Sequence, residues 1–204
     1  MTGFTTATDY AWADEQYAHL MEAYCLTLVR GLEPAALLGA LGAEPRPSVV
    51  GVDALHEPSF DAWDDHGGDK LFLGVTRVGE WALMVESNGY LGTISTVIQP
   101  LSRGRTVVSH FRNVNAVDHF YWYEDGALRL HFEPLFAHSR EGSHAEEFAA
   151  EMRESGFDLS ADEDRDFEWH TEAAFALAHR VTGVRLTPEL FATAEFTCGL
   201  APRP

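Results

Sequence analysis

The chain has 204 residues, 46% of them hydrophobic and 12% aromatic, which is the composition of a folded chain of one domain and excludes a disordered one. Its 32 acidic and 14 basic residues leave a formal net charge of -18, which argues against nucleic acid or an anionic membrane as partner. The same charge is compatible with a basic protein partner, and it equally serves solubility.

No apolar run reaches the ~18 residues of a membrane span, and the opening MTGFTTATDYAWADEQ lacks the basic and apolar regions of a signal peptide, so a cytoplasmic location is expected. Cys25 and Cys198 stand near opposite ends of the chain without CxxC spacing and read as free thiols.

Asp9 to about Glu22 reads as an amphipathic helix, with Tyr17, Leu20, Met21 and Tyr24 at helical spacing. YCLTLV, residues 24–29, turns β-like and ends at Arg30-Gly31. Glu33-Pro34 opens a short helix that Gly42 and the Pro45, Pro47 pair stop. Gly31 belongs to no GxGxxG, so no dinucleotide site is inferred. Pro45 to Asp69 reads mostly as loop, with a short strand at Ser48 to Val52. His66 with Asp64, Asp65 and Asp69 invites a cation, but an exposed turn accounts for the same residues and the spacing matches no ligand pattern.

Lys70 to Glu86 predicts a hairpin around Val78-Gly79-Glu80, with Leu71, Leu73 and Val75 on one face and Trp81, Leu83 and Val85 alternating in the second strand. Glu86 falls where that strand gives way to a loop and is a weak candidate acid; no second acid of defined separation accompanies it. Thr93 to Leu101 reads as a short helix.

Thr106 to Pro134 is the longest run with a strand period. Leu128, Leu130 and Phe132 are expected on the core face. The Glu124-Asp125-Gly126 turn permits a two-residue loop that pairs Glu124 with Ala127, or a three-residue loop that pairs Tyr123 with Ala127. The two differ by one residue and exchange the faces of one strand. The second sets Phe120 and Trp122 beside Leu130 and Leu128 and is preferred. It gathers His119, Tyr121, Tyr123, Arg129 and His131 on the other face, with His119 opposite His131. That face offers imidazoles, phenols and a guanidinium for a ligand, although a covering layer would make the same residues structural. Zinc needs about three or four ligands, and the face of His110, the nearest further imidazole, is undefined, so no metal and no cofactor is assigned.

Beyond Pro134 the pattern turns helical, from Ser143 to Glu154 and from about Asp166 to Thr182, the latter with Phe167, His170, Ala174, Leu177 and Val181 as its buried stripe. The acidic run Asp158, Asp162, Glu163, Asp164, Asp166 has the opening spacing of an EF-hand, but Phe167 stands in place of the required glycine, and the acids are assigned to a helix N-terminus. Thr187-Pro188 opens a last helix, and Gly199 to Pro204 is expected to fray.

The runs YCLTLVRGLEPAALLGALGA, WALMVESNGYLG, LSRGRTVVSHFRNVNAVDHFYWYEDGALRLHFEP and RVTGVRLTPELF resemble an uncharacterised actinobacterial family, of streptomycete type, without an assigned activity. The resemblance spans nearly the whole chain. It implies a bacterial cytosolic protein and transfers no catalytic residue.

The expected architecture is a single α+β domain over residues 1–204, an antiparallel sheet of about four or five strands with the N- and C-terminal helices on one face. The expected function is a non-enzymatic, acidic interaction protein of immunity type with a basic partner. The alternative is a small-molecule-binding protein or enzyme that uses the His/Tyr/Arg face, with His119 or His131 as general base and Arg129 holding an anionic group.

Overall fold

The computed structural model describes residues 5–162 and 164–204; Met1 to Phe4, which begin the opening segment, and Glu163 of the acidic run lie outside them. Among the described residues, nine strands form one antiparallel sheet in place of the expected four or five. They are β1 (Tyr24–Arg30), β2 (Glu44–Val50), β3 (Lys70–Val78), β4 (Trp81–Ser87), β5 (Thr106–Arg112), β6 (Asp118–Glu124), β7 (Ala127–Phe132), β8 (Arg140–Glu141) and β9 (Glu195–Pro202), in the spatial order β2-β9-β3-β4-β1-β5-β6-β7-β8.

The sheet is extended at both edges, by β2 and β9 on one side and β8 on the other. Gly199 to Pro202 of the tail expected to fray form the end of β9, which lies between β2 and β3 and pairs Phe72 with Leu200 and Leu73 with Gly199. Its inward residues Phe196, Cys198 and Leu200 are buried. Gly199 permits that place, because a Cβ there would stand 2.9 Å from Ala43 Cβ and 3.0 Å from Leu38 Cδ2. The expected loop over residues 45–69 holds the edge strand β2 and a helix, α3 (His56–His66), closed by the left-handed Gly67. His66 and its neighbouring acids therefore end a helix.

Helices cover both faces of the sheet, where one was expected. The remaining helices are α1 (Trp12–Met21), α2 (Pro34–Ala40), α4 (Ser95–Leu101), α5 (Ala149–Ser155), α6 (His170–Thr182) and α7 (Pro188–Thr193). On one face, Tyr24, Leu26, Leu28, Leu83 and Val85 pack with residues of α1, α6 and α7, such as Leu20, Phe175 and Phe191. Farther along the same face, Phe120, Trp122, Leu130 and Phe132 pack with Met152 of α5 and with Ala174 and Leu177 of α6. On the opposite face, α2 and α4 set Leu37, Leu38, Ile98 and Leu101 against Leu73, Val75, Met84 and Val107. These two short helices leave the outer half of the β5–β6–β7 sheet only half-covered, so Phe111, His119, Tyr121 and His131 stay partly exposed.

The β6–β7 register combines features of both expected alternatives. Asp125 and Gly126 have φ of 49° and 76°, the two-residue turn whose twist suits a hairpin, and Glu124 pairs with Ala127. Then the register shifts: Tyr123 pairs with Leu128, but Trp122 pairs with Leu130. Arg129 is the extra residue of a bulge, and the Ser143 and His144 amides take the Leu128 and Arg129 carbonyls. The bulge keeps Leu130 and Phe132 on the core face, as expected, but turns Leu128 to the other side. Tyr121, not His119, consequently stands opposite His131.

The helix α6 begins at His170, four residues later than expected, and Phe167 is 51% exposed in the turn before it. The acids there organise a loop rather than a helix start: Asp158 accepts hydrogen bonds from the Ser160 and Asp166 amides. Cys25 and Cys198 are both free and buried.

Candidate functional site

His119 and His131 of the expected face come together in a cleft of about 500 Å³, closed on its other side by the segment from Glu133 to Glu141. Strand alternation delivers His119 and Tyr121 to the same face of β6, and register brings His131 of β7 beside them. Tyr121 stacks on His131 with ring centroids 4.2 Å apart, which holds the imidazole plane.

A hydrogen-bonded relay runs through the cleft wall. Glu141 Oε1 lies 2.9 Å from His131 Nδ1, and His131 Nε2 lies 3.4 Å from His119 Nδ1. An ionised carboxylate only accepts, so a neutral His131 donates through Nδ1–H and accepts at Nε2. His119 then donates through Nδ1–H and keeps its Nε2 lone pair. Burial, followed by the neighbouring His131, holds the His119 pKa below the usual imidazole value, so this nitrogen is a neutral acceptor near physiological pH. His138 also lines the cleft, and its Nδ1 is buried without a hydrogen-bond partner among the described residues. Arg140 is occupied elsewhere, donating to Glu146 and the Ala145 carbonyl.

The other expected site residues are dispersed. Tyr123 is 8% exposed and belongs to the core under α2 and α4. The bulge carries Arg129 away from the histidines; its Nε lies 3.3 Å from Glu124 Oε2, and it lines a separate depression with Arg30 and Arg105. Glu86 is fully buried and accepts from the Leu91 and Gly92 amides. Burial raises its pKa to about 7 against those hydrogen bonds, so Glu86 acts as a latch beneath the 91–93 turn. His110 faces the opposite side of the sheet, where Tyr24 Oη lies 3.1 Å from its Nδ1. Among the described residues, no group of three or more His, Cys, Asp or Glu side chains is arranged to hold a metal ion.

Sequence reasoning missed a second cluster, on the helix-covered face. Asp118 is fully buried, 3.5 Å from Arg112 Nη1 and 3.4 Å from His170 Nε2. Arg112 also donates to His170 Nε2 at 2.9 Å and to Thr171 Oγ1 at 3.1 Å. His170 Nδ1 donates to the Phe167 carbonyl, so with Nε2 accepting from Arg112 the ring is neutral and forms no ion pair with Asp118. Desolvation raises the Asp118 pKa to about 7, although Arg112 opposes it. One signal was present: Asp118 precedes Phe120 and Trp122 at period two, which assigns a carboxylate to a core-facing position.

The profile of a family of unknown function, DUF6461, matches residues 3–204. The chain belongs to DUF6461. No curated protein and no solved structure matches it. For this DUF6461 chain, functional inference therefore starts from its own side chains. Among the described residues, no helix is long and apolar enough to cross a membrane.

Proposed function

We propose that the chain is a small-molecule-binding protein, without catalytic activity, whose ligand occupies the cleft lined by His119, His131 and His138. The observation that carries this reading is the Glu141–His131–His119 relay beside a cleft of about 500 Å³. Small-molecule sites span ~300–1,000 Å³ and hold a few oriented polar groups among apolar ones. Here Phe136, 40% exposed, supplies the apolar surface. The free acceptor on His119 favours a ligand with a hydrogen-bond donor, such as a phenol or a weak acid. A bacterial, cytoplasmic setting belongs to the same reading.

A fragment set of phenols and weak acids, followed by His Cε1–H chemical shifts, tests it. Supporting compounds perturb His119 and His131 and bind His119→Ala roughly tenfold more weakly, the scale of one lost hydrogen bond. Compounds that map elsewhere, or bind the variant equally well, remove the reading.

A second reading, the acidic interaction protein with a basic partner, is supported by α3. Its exposed surface carries Glu57, Asp61, Asp64 and Asp65 around Phe60 and Trp63, which are 45% and 39% exposed. Aromatic anchors ringed by acids suit a basic protein surface. Binding that survives unchanged from low to high salt would rule out this version.

A further inference from the structure

A second cleft, of about 390 Å³, lies on the helix-covered face between α1, the loop after β5 and the first turn of α6, and it is independent of the histidine cleft. Asp14 and Glu22 on or just after α1 and Glu172 on α6 contribute carboxylates to its lining. None of the three has a hydrogen-bonding or ion-pairing side chain among the described residues. Glu172 is nevertheless 9% exposed, so it is a nearly buried carboxylate that lines a cavity, with its own backbone amide and then the Arg112 charge to favour its ionised form against burial. The cleft's arginine answers these charges only in part. Arg112 is directed to Asp118, His170 and Thr171 on the sheet side.

Asp14 and Glu172 are close enough that Asp14, after burial, raises the Glu172 pKa, while Arg112 lowers it. Three carboxylates that line one cavity with a single arginine, itself shared with Asp118, leave an excess of negative charge that a cation would relieve. The remaining lining is informative about the kind of cation. Ala18, Met21, Val114 and Ala116 add methyl and methylene surface, and Val114 is 72% exposed. A bare metal ion would gain nothing from that surface, and the carboxylates are not gathered into a metal-holding group. An ammonium group on a short aliphatic chain uses both parts.

We propose that this cleft binds a primary aliphatic ammonium ligand, its charged head between Asp14 and Glu172 and its chain against Met21 and Val114. The fold builds this site from α1, the 113–116 loop and α6, so it exists only in the folded chain.

The test is an NMR titration of the full chain with n-butylammonium, with butyrate and norvaline as counterparts. Saturable shifts confined to Asp14, Met21, Val114 and Glu172 are expected with butylammonium, together with a fall in the Glu172 side-chain pKa followed at its carboxyl carbon. Both Glu172→Gln, which keeps the side-chain shape, and the exposed Asp14→Asn are expected to weaken binding roughly tenfold each, the scale of one charge-assisted contact. Norvaline binding more tightly than butylammonium supports the site and adds Arg112 as the carboxylate partner. The proposal is overturned by butyrate binding as well as butylammonium, by shifts spread over the acidic surface, or by unchanged affinity in both variants.

Discussion

Tyr121 lies nearly flat on His131, with ring planes 11° apart, and this stack is what the β7 bulge creates by moving Tyr121 into register with the histidine. Without the extra residue Arg129, a different β6 residue would occupy that place, and the Glu141–His131–His119 relay would lose its backing ring.

The first prediction concerns that relay. His119 is held below the usual imidazole pKa by burial and then by His131. His131→Ala removes a ring that helps bury His119 and opens the site to water, so the His119 pKa should rise. An NMR titration of its Cε1–H signal checks this; an unchanged or lower value would show that His131 does not act on His119.

Asp118 should make stability fall as pH rises. Its pKa is raised to about 7, chiefly by burial, so between about pH 4 and 7 the folded chain holds a proton that the unfolded chain has released. Unfolding free energy therefore decreases across that window, by up to a few kcal/mol. Asp118→Asn should lessen the slope and leave the part that buried Glu86, with its pKa also raised to about 7, contributes. Urea unfolding at pH 5 and pH 8 measures it, and a variant with the wild-type slope would refute the assignment.

Gly92 should tolerate no side chain. A Cβ there would collide with Thr27 Oγ1 and Ser109 Oγ and lie 2.6 Å from Cys25 Sγ, at the turn whose amides Glu86 holds. Gly92→Ala should destabilise by about 1–3 kcal/mol, the scale of overpacking in a rigid core. Denaturant unfolding reads the change, and neutral behaviour would mean that this turn yields freely.

The C-terminal strand should be indispensable. Leu200 is 2% exposed and pairs with Phe72, so Leu200→Ala should cost about 2–5 kcal/mol. Hydrogen exchange offers an independent check, because amides in β9 should be as protected as those of β3. Rapid exchange from residue 196 onward would return this segment to the status of a loose tail.

Much of the architecture was legible because it is local. The β3–β4 and β6–β7 hairpins, the Pro34 and Pro188 helix starts, and the inward period of Phe120 and Trp122 each depend on residues within a few positions of one another. His119 and Tyr121 share a face for the same reason.

What the sequence by itself determined was the set of amphipathic elements, the antiparallel α+β class and the common face of the β6 aromatic and imidazole groups. Tertiary structure decided what joins them. The strand FTCGLA carries a glycine and a weak period, and it becomes interior only because β2 and β3, far away in sequence, bracket it. The bulge at Arg129 follows from amides of Ser143 and His144 that reach back to it, and Asp14 and Glu172 line one cleft only when α1 and α6 pack on the same face of the sheet. Local periodicity specifies which side of an element is apolar; which distant element covers it is a property of packing, and both clefts are built at such junctions.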